Sequence, residues 1–200
     1  MRLPRAVAVL VLVALLGGVV AVAEAKNVRG TNRADKLSGT TKNDRIDGRG
    51  GNDQLFGLRG NDRLFGGAGK DRLSGQSGRD TLRGGTENDK LVGGVDNDSL
   101  NGDDGNDSLN GGAGDDTLTD TIGNNSFAGG PGDDTITGGA GNDKLDGGLG
   151  EDTISGGDGN DTIRARDREQ DSIDCGPGED TVIVDAEEDG VIDCENVQTP

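Results

Sequence analysis

The chain has 200 residues, of which 29% are hydrophobic; it holds 39 Gly and three Phe, no His, Trp or Tyr, and a formal net charge of −18. An ordinary globular domain is roughly 45–50% apolar, so an aromatic-rich core is excluded, and without His so are Ser-His-Asp and Cys-His catalysis and His-containing zinc sites. Such a composition ordinarily means disorder, unless the pattern of residues carries an order that the average hides.

Residues 1–25 read as a secretory signal peptide: Arg2 and Arg5 form a basic start, Ala6 to Ala23 is an unbroken run of apolar residues and Gly, and Ala23-Glu24-Ala25 is a small-residue cleavage site. A run of 18 such residues could just span a bilayer, but the cleavage motif that follows it favours removal. No Cys lies near that motif, so a lipid anchor is not expected, and the C-terminus has no apolar tail. The expected mature chain is secreted, has no membrane span, and carries 18 basic and 37 acidic residues. Its two cysteines, Cys175 and Cys194, then meet an oxidising compartment, where a paired count reads as a disulfide.

From Asp35 onward a nine-residue period fills the chain. Stepping by nine gives Asp44, Asp53, Asp62, Asp71, Asp80, Asp89, Asp98, Asp107, Asp116, Asn125, Asp134, Asp143, Asp152 and Asp161, so fourteen of fifteen are Asp. Two residues after each comes a large apolar residue, from Leu37 and Ile46 to Ile154 and Ile163, in all fifteen cases. Gly stands five residues before in fourteen, with Asp120 as the exception, and two residues before in eleven. A disordered acidic segment has no reason to hold this register.

Units such as Gly66-Gly-Ala-Gly-Lys-Asp-Arg-Leu-Ser74 and Gly138-Gly-Ala-Gly-Asn-Asp-Lys-Leu-Asp146 match G-G-x-G-x-D-x-U-x. On these motifs the chain resembles the repeats-in-toxin (RTX), or hemolysin-type, nonapeptide family over about residues 30–163. The resemblance implies an all-β fold: a right-handed parallel β-roll, a β-solenoid with two nonapeptides per coil, six residues of each in a turn and three in a strand. It also implies calcium ions between stacked turns.

Residue chemistry supports this independently. Gly tolerates positive φ and close approach of backbone oxygens. The x-U-x triplet points out, in and out as a strand does, so facing sheets bury one thin seam. Alternate repeats fall on opposite sheets, which stacks Asp53, Asp71 and Asp89 on one edge and Asp62, Asp80 and Asp98 on the other, roughly 4.8 Å apart. Carboxylates stacked so closely repel one another unless a cation lies between them. Carboxylate and carbonyl oxygens in loose geometry suit calcium. The expected metal ligands are Asp53, Asp62, Asp71, Asp80, Asp89, Asp98, Asp107, Asp116, Asp134, Asp143, Asp152 and Asp161, with carbonyls from the Gly-rich turns. About ten ions would offset the charge of the mature chain. One buried aliphatic side chain, worth about 2 kcal/mol, serves nine residues, so folding should depend on the metal.

The turns are not equal. Residues 26–47 form degenerate repeats, with Arg33 and Lys42 where Gly belongs, and read as an N-terminal cap whose basic groups stand in for metal. Residues 48–163 are the calcium-binding repeats. Within them Glu87 and Asp96 replace the second Gly, and the turn 120–125, Asp-Thr-Ile-Gly-Asn-Asn, loses its carboxylate and should interrupt metal on its edge.

Residues 164–200 read as a C-terminal cap in which the phase slips by one and then continues through Asp171, Asp180 and Asp189. Cys175 and Cys194 lie 19 apart, one more than a coil of 18, which a bulged residue would reconcile. Asp185-x-Glu187-x-Asp189-Gly190 resembles the start of an EF-hand loop, but Glu195 falls one place short of its twelfth position, and the segment reads as an acidic turn, with an extra calcium site as the lesser alternative.

Charge divides along the chain. Residues 26–95 hold 14 basic and 9 acidic residues, and residues 96–200 hold 4 and 28. A basic patch of this kind suits anionic cell-envelope polymers or head-to-tail self-association. Aromatic side chains that would stack bases are scarce, so nucleic acid is not an expected partner. Paired hydroxyls at Thr117/Thr119, Thr135/Thr137 and Thr153/Ser155 form a short flat ladder that could serve ligand or ice binding, although Arg45, Phe65 and Arg83 break the same face. The repeats leave no room for a protease or lipase domain, and the expectation is a secreted, non-enzymatic calcium-binding component of a matrix or surface.

Overall fold

The computed structural model describes residues 24–185 and 190–199. Nearly all of the signal segment, and Glu187 and Asp189 of the acidic turn, lie outside them. Three-residue strands β1 (Asn27–Arg29) and β2 (Lys36–Ser38) open the structure. Six-residue strands follow: β3 (Arg45–Gly50), β4 (Gln54–Arg59), β5 (Arg63–Ala68), β6 (Arg72–Ser77), β7 (Thr81–Thr86), β8 (Lys90–Val95), β9 (Ser99–Asp104) and β10 (Ser108–Ala113). After the short β11 (Thr117–Thr119) the six-residue form resumes in β12 (Ser126–Pro131), β13 (Thr135–Ala140), β14 (Lys144–Leu149) and β15 (Thr153–Asp158). The chain closes with β16 (Thr162–Ala165), β17 (Ser172–Asp174), β18 (Thr181–Val184), β19 (Gly190–Ile192) and β20 (Asn196–Gln198).

Odd-numbered strands form one ten-stranded sheet and even-numbered strands another, each in sequence order. All pairings are parallel, and from β1 to β16 each residue pairs with the one 18 positions on, as Leu55 with Leu73 and Leu73 with Leu91. Two nonapeptides therefore make one coil, and the architecture is the β-roll expected from the repeat. No helix among the described residues is long and apolar enough to cross a membrane.

The core is the single inward seam. Ile46, Leu55, Leu64, Leu73, Leu82 and their successors to Val184 are buried between the sheets. At the ends Val28, Leu37 and Val191 are only partly covered. The strands differ from the three-residue form that the resemblance implies, because pairing runs on through the first half of the expected turn. In β4 both Leu55 and Gly57 are buried, and Leu58 and Arg59 still pair with Gln76 and Ser77. In the six-residue strands a positive φ at the fifth residue, 88° at Leu58 and 80° at Gln76, bends the strand without ending the ladder. The remaining corner needs only three residues, such as Gly60-Asn61-Asp62.

The expected slip lies between β15 and β17, where Thr153 pairs with Ser172, and between β16 and β18, where Thr162 pairs with Thr181; both are 19-residue steps. From β17 to β19 the step returns to 18. The residue that reconciles the cysteines is Asp193, with φ 51°. It places Cys194 over Cys175 in a disulfide with a Cα–Cα separation of 5.2 Å. The C-terminal segment thus continues both sheets and is tied to the coil before it.

Candidate metal centre

The Asp of each nonapeptide closes the corner between successive strands, and its carboxylate turns inward. Asp53, Asp62, Asp71, Asp80, Asp89, Asp98, Asp107, Asp116, Asp134, Asp143, Asp152 and Asp161 are all buried. Their two oxygens differ in role. Oδ1 accepts a hydrogen bond from the backbone N–H of the Asp one coil earlier: Asp53 donates to Asp71 and Asp62 to Asp80, each at 2.7 Å. One such ladder runs from Asp35 through Asn125 to Asp161, Asp180 and Glu195. The other runs from Lys26 and Asp44 to Asp152 and Asp171.

Oδ2 has no partner. In Asp53, Asp62, Asp71, Asp80, Asp89, Asp98, Asp107, Asp116, Asp134, Asp143 and Asp161 this oxygen is buried without a hydrogen bond. A buried, unpaired carboxylate oxygen is costly, and a column of them defines where a cation belongs. The Gly five residues before each Asp lines the same space. A Cβ on Gly48 would stand 2.6 Å from Gly66 O and closer still to Asp53 Oδ2. On Gly84 it would stand 2.7 Å from Gly102 O, again with its own Asp89 Oδ2 closer. Carboxylate and carbonyl oxygens therefore converge on a strip that only Gly leaves open. Among the described residues no three acidic, Cys or His side chains gather at one point, so an ion here would take few carboxylates and complete its shell with carbonyls. That donor set fits calcium.

The N-terminal turns are closed differently from the sequence expectation. Asp35 Oδ2 accepts from both the N–H and the Oγ1 hydroxyl of Thr31, at 2.6 and 2.8 Å. Asp44 Oδ2 accepts from the Thr40 N–H. Thr31 and Thr40 thus occupy the oxygens that stay free in Asp53, Asp62 and most of their successors, whereas the sequence reading assigned this role to Arg33 and Lys42. Arg29 pairs with Asp47 at 3.3 Å, and Arg83 pairs with Asp103.

The irregular turns keep the backbone path. Glu87 and Asp96 take φ 75° and 74°, in the region that Gly78 and Gly105 use at the same place in their turns. Their side chains cost strain rather than changing the corner. In the turn 120–125, Asn125 is buried and accepts the Asp107 N–H through Oδ1 at 2.8 Å. Its Nδ2 turns to Gly123 O, so the ladder continues while the anionic oxygen is lost. Strand β11 is cut to three residues here, because Asp120 puts a side chain where its neighbours have Gly.

Two features escaped the sequence reading. The site extends past Asp161: Asp171 and Asp180 are buried in the ladders, and Asp180 Oδ2 is also without a partner. The slipped phase had separated them from the regular series. Further hydrogen bonds run the opposite way through the residue before the Asp wherever the earlier one is Asn or Asp, the later N–H donating to the earlier Oδ1, as Asn61 to Asn43 at 2.9 Å and Asn142 to Asn124 at 2.7 Å. Asn at this position in nine of the fifteen repeats was the available signal.

Burial raises the carboxyl pKa values throughout the column. Asp62, Asp71, Asp116, Asp143 and Asp161 move to about 6. Asp80, Asp98, Asp134 and Asp152 move to about 7, and Asp89 to about 8. Desolvation is the main cause; the ladder hydrogen bond opposes it and neighbouring carboxylates add to it. Asp35, bonded twice to Thr31, moves down instead.

A family model of the RTX calcium-binding nonapeptide repeat (4 copies) matches overlapping segments at residues 29–64, 47–82, 57–91, 83–118, 119–154 and 147–167. A search of curated proteins finds no match. The 18-residue coil, the buried Asp columns and the family match agree, and the chain belongs to the RTX calcium-binding nonapeptide repeat family.

Proposed function

We propose that the protein is a secreted, non-enzymatic calcium-binding β-roll that folds on meeting calcium outside the cell and serves as a structural, surface or matrix component. The observation that carries this reading is the repeated buried Oδ2 without a partner. Such a column is unfavourable in a metal-poor compartment and stabilised in a calcium-rich one, so binding and folding are coupled. Asp53, Asp62, Asp71, Asp80, Asp89, Asp98, Asp107, Asp116, Asp134, Asp143, Asp152 and Asp161 would hold the ions, about ten in all by the coordination argument. Each ion would supply charge neutralisation and a cross-link between coils. The export features of residues 1–25 support secretion, and the lack of His in the sequence supports a binding rather than a catalytic role.

The test is to express the full chain in a secreting host and examine the medium. The reading expects a product lacking residues 1–25 that gains β-structure with calcium and loses it in chelator. Retention of residues 1–25 on a cell-associated product would contradict the secreted reading.

A second reading concerns the N-terminal half. Arg45 pairs in register with Arg63, and Arg72 with Lys90, so like charges stack on neighbouring rungs. Like charges directly opposite one another are unfavourable, which suits a surface that receives a polyanion. Retention of the calcium-loaded chain on an anionic polysaccharide column, lost in R63E/R72E, would support this reading.

A further inference from the structure

The turn 120–125 departs from the repeat twice. Asn125 removes a carboxylate, and Asp120 adds one where Gly stands in every other repeat from Gly30 to Gly156. The added carboxylate is not at the surface: Asp120 is 3% exposed. Its Oδ1 accepts from the Thr121 N–H at 2.6 Å and the Ile122 N–H at 3.3 Å. Its Oδ2 is buried and has no partner.

That oxygen lies against the coil before it. A Cβ built on Gly102 would strike Asp120 Oδ2 and Asp107 Oδ2 together. In the regular coils the corresponding Cβ meets its own Asp and the carbonyl of the coil above, as on Gly48 with Gly66 O at 2.6 Å. Asp107 Oδ2 is itself buried without a partner. Two unpaired carboxylate oxygens from adjacent coils therefore face one another where a regular coil has one carboxylate oxygen and one carbonyl. The turn is also anchored: Asp120 N–H donates to Thr137 O at 3.0 Å, and Ile122 bridges Asp104 and Ala140. The carboxylate is held in position by the coils on both sides.

We propose that Asp120 is a calcium ligand that joins Asp107 in a site between turns 102–107 and 120–125. The inference rests on the calcium reading of the Oδ2 column and concerns the gap before this turn, while the carboxylate missing at Asn125 falls in the gap after it. Within this one turn Asn125 keeps the ladder hydrogen bond through its amide oxygen, and Asp120 adds an anionic oxygen on the side of the preceding coil.

The test counts calcium ions bound to the full chain, by equilibrium dialysis with calcium alone and by native mass spectrometry, in wild type, D120G and D120N. D120G restores the residue that the repeat uses at this position. The proposal expects D120G and D120N each to bind about one calcium fewer than wild type. Equal counts and equal calcium-folding midpoints in wild type, D120G and D120N would overturn it. Should D120G fail to fold in saturating calcium, D120N decides, since its amide oxygen can keep the bonds to Thr121 and Ile122. A wild type that binds no calcium would overturn the calcium reading itself, an outcome distinct from a wild type that binds calcium as tightly as its Asp120 variants.

Discussion

Asp53 donates its backbone N–H to Asp71 Oδ1 at 2.7 Å, while Asp71 Oδ2 stays buried and unpaired. One carboxylate thus joins two coils and presents a free charged oxygen. The two roles are separable, because Asn125 performs the first without the second.

Asp71→Asn and Asp71→Ala should therefore differ. Asn keeps an oxygen for the Asp53 N–H and loses the anionic ligand, so fewer calcium ions bind. Ala also leaves a buried N–H unpaired, at a further cost of about 1–3 kcal/mol. Thermal unfolding at saturating calcium should rank wild type above Asp71→Asn and Asp71→Asn above Asp71→Ala. Coincident curves for the two variants would show that the ladder bond contributes nothing.

Asp143→Ala should lower calcium binding more than Asp35→Ala. Asp143 Oδ2 is buried and unpaired, whereas Asp35 Oδ2 is already occupied by Thr31. Isothermal titration of both variants checks this, and equal losses would contradict a graded series.

The fold was legible because one period controls both the inward Leu or Ile and the corner Asp, so the 18-residue register between coils follows from counting. The two columns of buried Asp carboxylates were legible for the same reason. The closure of Asp35 and Asp44 was not: it depends on where the Thr31 and Thr40 N–H groups point, and a basic residue nearby in sequence looked the better partner. Strand length was missed because pairing continues through residues such as Leu58 at positive φ, a conformation that Leu rarely takes. Asp120 was read only as a missing Gly, since its reach to the coil of Asp107 exists only once the coils are stacked.

Reduction of Cys175–Cys194 should loosen the C-terminal coils. The bridge spans a sequence separation of 19, and closing a loop of that size is worth about 3 kcal/mol in the chain-entropy model. The calcium needed to fold the C-terminal coils should rise on reduction, with a larger thermal effect at low calcium than at saturation. Identical calcium midpoints for wild type and a C175S/C194S variant would refute this.

Metal-free folding should respond to acid. Asp80 is raised from 3.8 to about 7 and Asp89 from 3.8 to about 8. A carboxyl raised on folding binds its proton more tightly in the folded chain, so its stabilising effect is full below the unfolded value and is lost as pH rises through the folded one. In chelator the chain should gain β-structure on acidification from about pH 8 towards pH 5. With calcium present, protons compete for the same oxygens, so the calcium midpoint should rise as pH falls. Circular dichroism at several pH values reads both trends; a chelated chain whose β-content stays flat across this range would count against buried carboxyls as the obstacle to folding.

The most direct measurement is a calcium titration of the chelated full chain at neutral pH, followed by far-ultraviolet circular dichroism with magnesium as the control. The account predicts a cooperative gain of β-structure with calcium, reversal by chelator, and no comparable gain with magnesium, whose strict octahedral geometry the carbonyl-lined strip does not supply. A chain that holds its full β-content in excess chelator at neutral pH would contradict it.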